Sequence, residues 1–172
     1  IKKIKVSLRE LIDAEQIGIG TYSPLKGFIS RKDLDAVLES NCLSNGTIWT
    51  LPIILQLPMD IVDGLQGEEK VALTDFNGEV FSTLYISDIY SPNLEEVALK
   101  WFGTKSMKHP GVKKLFNSGE YFIEGETHIV RKLPSPFREF ELSPRNFRKI
   151  FNNKGWNIIV GFHTRNVVHR VH

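Results

Sequence analysis

The chain is almost devoid of cysteine, with Cys42 the only one in 172 residues. An internal disulfide is therefore excluded, and the usage suits a reducing, cytoplasmic setting. No histidine lies near Cys42 in sequence, so it reads as inert packing rather than as a catalytic thiol. Long apolar runs are also missing. No stretch reaches the roughly 18 residues that cross a bilayer, so no membrane span is expected. The opening residues, IKKIKVSLREL, lack the uninterrupted apolar core of a signal peptide. Internal repeats and low-complexity segments are absent too.

Charge of one sign is scarce overall, the net value being +2, but it is unevenly placed. Residues 131–172 carry nine Lys/Arg against the two acids Glu139 and Glu141, a balance of +7. Residues 1–130 carry thirteen Lys/Arg against eighteen acids, a balance of −5. A basic end on an acidic body points to an anionic partner for that end, or to a solvated basic surface beside a domain junction.

Local signals give a mixed α and β reading. Ser7 followed by Glu10 predicts a capping box and a helix to about Gln16. The glycines and proline of GIGTYSPLKGF predict a loop over 18–28. Ser30 and Asp33 cap a second helix, RKDLDAVLES, with Leu34, Val37 and Leu38 on one face. TIWTLPIILQL reads as a strand with its proline at an edge or bulge. EKVALTDFNGEVFSTLYI reads as a hairpin about the two-residue turn Asn77-Gly78. In SPNLEEVALKWFG, Ser91 is the expected cap, Pro92 the first helical residue and Gly103 the stop. HPGVKKLFNSG reads as a shorter helix, and EYFIEGETHIV as a second hairpin. Residues 1–140 thus form one mixed domain. Residues 141–172 begin another, with a helix from Ser143-Pro144 to Gly155. After it, NIIVGF reads as a strand of the kind buried on both faces in a parallel sheet.

If NIIVGF is such a strand and a helix begins near Val167, then His163, Thr164, Arg165 and Asn166 lie in the loop at the strand's carboxyl end. Ligands of open α/β sheets bind there, and the following helix start suits phosphate. Arg165 offers a planar fork for two oxygens of a sulfate or phosphate. Thr164 and Asn166 add neutral donors. His169 and His172, three apart, share one helical face. The zinc-protease arrangement needs i,i+4 histidines and a glutamate, and this segment has neither, so no metal site is expected.

HTRNVVHRVH resembles the QxRNP-plus-HxxH signature of the ATP sulfurylase family. Three further stretches are similar to that family in the same order. They are YSPLKGFISRKDLDAVL, YSPNLEEVALKWFGTKSMKHPGV and the linker PFREFELSPRNFRKIF. The resemblance implies an α+β chain: a β-rich PUA-like domain over 1–140, then the first strand and helix start of a Rossmann-like α/β nucleotidyltransferase domain over 141–172. It implies that the catalytic domain continues beyond residue 172, so that this chain would be inactive alone. The reaction implied joins ATP and sulfate into adenylyl sulfate and pyrophosphate, with Mg2+ accompanying the nucleotide, in a cytoplasmic homo-oligomer that binds no nucleic acid. The residues implied are His163, Thr164, Arg165 and Asn166 for sulfate and ATP, with His169 and His172 acting on the leaving pyrophosphate. Two positions depart from the family: His163 stands for the usual Gln and Val167 for the usual Pro. Neutral imidazole offers one donor and one acceptor where the amide offers two donors and an acceptor. The readings that compete with an enzyme are a PUA-like RNA-binding module and a non-catalytic oligomerisation module.

Overall fold

A computed structural model gives the structure of the protein and describes residues 1–165 and 170. Its strands are β1 (Lys2–Lys5), β2 (Gly27–Phe28), β3 (Leu55–Leu57), β4 (Lys70–Thr74), β5 (Val80–Tyr90) and β6 (Tyr121–Ile129). They form one sheet in the order β1-β4-β5-β6-β2, with β3 also paired to β6. Only β1 and β4 run parallel. Since β5 takes one edge of β6, strands β2 and β3 lie end to end along the other. The helices are α1 (Leu8–Gly18), α2 (Arg31–Ser40), α3 (Met59–Asp63), α4 (Leu94–Phe102), α5 (Pro110–Asn117) and α6 (Pro144–Lys154). None of the described helices is long and apolar enough to cross a membrane.

Successive side chains of a strand point to opposite faces, and β6 uses both. Ile123 enters one apolar cluster with Leu11 and Ala14 of α1 and with Val71, Leu73 and Leu84 of β4 and β5. Its neighbour Phe122 enters a second cluster with Leu34 and Val37 of α2, Val97 of α4 and Val112 of α5. β6 is therefore sandwiched between helices rather than half solvated.

The helix ends follow local chemistry. The Ser7 amide donates to Glu10 Oε2 at 2.9 Å, closing the expected capping box. Ser30 Oγ accepts from the Asp33 amide at 3.0 Å. α4 starts later than the sequence suggests: Asn93, not Ser91, is its cap, accepting from the Glu95 and Glu96 amides at 3.1 and 3.3 Å. Asn ranks with Ser as a cap, and its place after Pro92 leaves the proline outside the helix. Gly103 ends α4 at φ 69°, in the left-handed region that glycine occupies without strain.

Three sheet expectations are corrected. In TIWTLPIILQL only Leu55–Leu57 is strand. Pro52 has no amide to donate, and the chain before β3 is held instead by single bonds such as Ile29 N to Ile53 O at 3.0 Å. The β4–β5 connection is longer than a two-residue turn, because Asp75 Oδ1 accepts from the Asn77 and Glu79 amides at 3.0 and 2.9 Å and so builds its own turn. EYFIEGETHIV is one strand, not a hairpin. Its Gly125 is there for close approach: a Cβ at that position would run into the Tyr85 carbonyl of β5.

Gly27 faces the same spot from β2, where Phe28 pairs with Gly125. A Cβ on Gly27 would run into the Gly125 carbonyl oxygen. Backbone cannot move aside as a side chain can, so Gly27→Ala should destabilise the domain by an overpacking cost at the upper end of roughly 1–3 kcal/mol. Urea unfolding checks this. An unchanged midpoint would mean that the β2–β6 contact is not tight.

Candidate functional site

The site expected from sequence lies past α6, so its position depends on how residues 131–155 are held. The anchor is Glu15. It sits four residues after Leu11 on the face of α1 that faces the core, and it is buried. A carboxylate there needs partners, because burying an unpaired charge costs several kcal/mol. The linker supplies them. The Leu133 amide donates to Glu15 Oε2 at 2.7 Å, and Arg138 Nη1 donates to Oε1 at 3.2 Å. Arg138 also donates to the Leu133 carbonyl and pairs with Glu141 at 2.5 Å. The Leu133 side chain packs against the first apolar cluster. One buried carboxylate thus pins the linker to the domain body. A short 3-10 turn (Arg138–Phe140) presents the guanidinium to it. An acid set in the apolar stripe of α1 is the sequence signal that points to such a partner, and it was missed.

Beyond this anchor, Ser143 Oγ accepts from the Asn146 amide at 3.3 Å and starts α6. Gly155 ends the helix at φ 64°, as expected. None of its residues is buried. Phe147, Phe151 and Trp156 form an aromatic run, with ring centroids 5.7 and 6.3 Å apart. Lys154 Nζ lies 5.0 Å above the Trp156 ring, a cation–π arrangement.

The expected strand NIIVGF is not formed. Residues 157–162 have no regular structure, and Ile158, Val160 and Phe162 are 90%, 87% and 69% exposed. Strand geometry depends on hydrogen-bonding neighbours, and no described strand pairs with this run. His163 and Arg165 follow it, both exposed, with Thr164 half-buried between them. These three are neighbours in sequence. Asn166, His169 and His172 lie outside the described residues, as does the helix expected from Val167. Arg145, Arg148 and Lys149 on α6 are exposed as well, so positive charge accumulates along the whole approach to Arg165. Such an approach attracts small anions. Among the described residues no three His, Cys, Asp or Glu side chains come together as metal ligands.

A family model described as a PUA-like domain matches residues 1–132, and one described as ATP-sulfurylase matches residues 138–172. A sulfate adenylyltransferase of Pyrococcus abyssi is 40% identical over 171 residues, covering 99% of this chain and 44% of that protein. One from Persephonella marina is 37% identical over 177 residues, covering 100% of this chain and 45% of that protein. One from Symbiobacterium thermophilum is 33% identical over 172 residues, with 100% and 44% covered. The chain therefore spans less than half the length of these curated relatives. Among solved structures, a hexameric APS kinase from Thiobacillus denitrificans resembles it with a TM-score of 0.64 at 22% identity. That likeness covers 91% of this chain and 27% of the other, and it is one of fold.

Proposed function

This chain belongs to the PUA-like domain family, and we propose that it is the amino-terminal part of a sulfate adenylyltransferase. The observation that carries the reading is the order of two family matches along one chain. The PUA-like match ends at residue 132 and the ATP-sulfurylase match begins at 138, with the Glu15-anchored linker running between and beyond them. We divide the chain a few residues later, into a PUA-like domain over 1–140 and the start of a catalytic domain over 141–172. The acidic body, at −5, would repel a nucleic-acid backbone, which weighs against an RNA-binding role.

In this reading a sulfate oxygen attacks the α-phosphorus of ATP in line. The new bond joins sulfate oxygen to α-phosphorus, and the bond from α-phosphorus to the bridging oxygen of the β-phosphate breaks. Adenylyl sulfate forms and pyrophosphate leaves with the electron pair. No covalent enzyme intermediate is needed, so the protein's work is to place two mutually repelling anions and to stabilise charge as it moves. Arg165 and His163 hold sulfate, the guanidinium taking two of its oxygens. Thr164, Arg165 and Asn166 line the site and position the nucleotide. His169 and His172 stabilise the β- and γ-phosphates as pyrophosphate departs. We assign Mg2+ to the nucleotide rather than to a protein site; bound there, it neutralises part of the polyphosphate charge. The setting is cytoplasmic and the full-length protein a homo-oligomer.

The Arg165 assignment is tested by Arg165→Lys in the full-length protein. Lysine keeps the charge but loses the two-pronged geometry, so adenylyl transfer should fall about 10-fold or more, equivalent to ~1.4 kcal/mol. Unchanged rates and sulfate dependence would remove Arg165 from the anion site. The histidines give a different signature. His169→Ala or His172→Ala should lower kcat more than it raises the KM for ATP, the pattern of an interaction made chiefly in the transition state. Stoichiometric zinc lost from either variant would instead make the pair a metal site.

A further inference from the structure

The domain body holds a cleft that the adenylyl-transfer reading does not use. It lies between α1, α4, α5 and the segment leading into β3, and its volume is about 340 Å3. That falls in the range of small-ligand sites, about 300–1,000 Å3. Its floor is apolar. Pro52, Ile53 and Leu115 are buried and Ile54 is half-buried. The Trp101 and Phe102 rings stack there with centroids 4.8 Å apart and planes 14° apart. Gly111 keeps that floor flat, since a Cβ on it would come within 2.7 Å of the Phe102 ring.

Four charged side chains line the wall: Arg9, Glu10, Asp13 and Lys114. Two of them are committed. Glu10 holds the Ser7 amide through Oε2 and faces Lys114 Nζ at 3.6 Å through Oε1. The other two are not. Arg9 and Asp13 stand one turn apart on α1, a spacing that normally lets an Arg–Asp pair close. No ion pair joins them; Arg9 is exposed, and Asp13 receives only a 3.4 Å hydrogen bond from the Tyr22 hydroxyl. Burial raises the Asp13 carboxyl above its ordinary range, with Arg9 the leading opposing influence, as expected of a carboxylate short of partners.

We propose that this cleft binds a free α-amino acid with an apolar or aromatic side chain. The ligand's carboxylate takes Arg9, its ammonium takes Asp13, and its side chain lies on the floor formed by Ile54, Trp101 and Phe102. A zwitterion answers both open charges at once. A simple amine would meet Arg9 and Lys114, a simple carboxylate would meet Asp13 and Glu10, and an uncharged apolar molecule would leave Asp13 desolvated without a partner. The site does not depend on residues 163–172, so it stands or falls separately from the sulfate reading.

Calorimetric titration of the full-length protein tests it, with L-phenylalanine as the first probe. The second and third probes are 2-phenylethylamine, which lacks the carboxylate, and 3-phenylpropanoate, which lacks the amine. L-Phenylalanine should bind with a Kd of about 1 mM or tighter, and each fragment at least about 10-fold more weakly. Asp13→Asn should erase the preference over 3-phenylpropanoate, and Arg9→Met the preference over 2-phenylethylamine. Both variants replace charges at the cleft wall, and thermal unfolding establishes that they are folded. The proposal is overturned if L-phenylalanine shows no binding at about 10 mM, if it binds no better than the fragments, or if folded variants keep both preferences.

Discussion

A single buried carboxylate decides where the linker of this molecule goes. Glu15 faces the apolar core from α1, and among the described residues its charge is met by groups that arrive some 120 residues later, the Leu133 amide and the Arg138 guanidinium. Without them the carboxylate would lie desolvated and unpaired, which is among the more costly defects a fold can carry. With them, the linker has one favourable path across the body. Leu133 adds an apolar contact at the same point. Everything beyond residue 133 inherits its starting position from that pairing.

The charge distribution gives this anchor a purpose. Nine of the chain's twenty-two Lys/Arg fall after residue 130, beside only two acids. Both of those acids flank or share the Arg138 anchor, and Glu141 pairs with it directly. From Pro144 to residue 165 the chain then carries Arg145, Arg148, Lys149, Lys154 and Arg165 with no acid among them. An acidic body and a basic extension attract one another at long range, and the short-range bonds of Glu15 select the register. Of the two acids near the basic extension, Glu141 is committed to Arg138.

Much of this was legible in the sequence. Caps built from Ser7, Ser30, Ser143, Gly103 and Gly155 are local events, and local events can be read from neighbouring residues. What misled was non-local. Gly125 looks like a turn until Gly27 and Tyr85 are seen pressing on it from both sides. The Asn77-Gly78 pair looks like a complete turn until the Asp75 side chain is seen bonding the amides beyond it. NIIVGF has the composition of a buried strand, but a strand is made by its neighbours, and composition alone does not supply them. The proposed site residues are named by their pattern in the sequence. Their chemistry is readable as a set of anion donors, whereas Glu15, which holds their approach in place, was hidden inside an ordinary helix.

Glu15 and Arg138 act as one unit in fastening the linker. A double-mutant cycle with Glu15→Gln, Arg138→Met and both together measures this directly, read as unfolding free energy by urea denaturation of the full-length protein. A coupled pair in a shared network gives an interaction energy within about 0.5–3 kcal/mol, and a pairing that fixes the linker should fall in the upper half of that range. Additive single-mutant effects, with coupling below about 0.5 kcal/mol, would mean that the linker is held by something else.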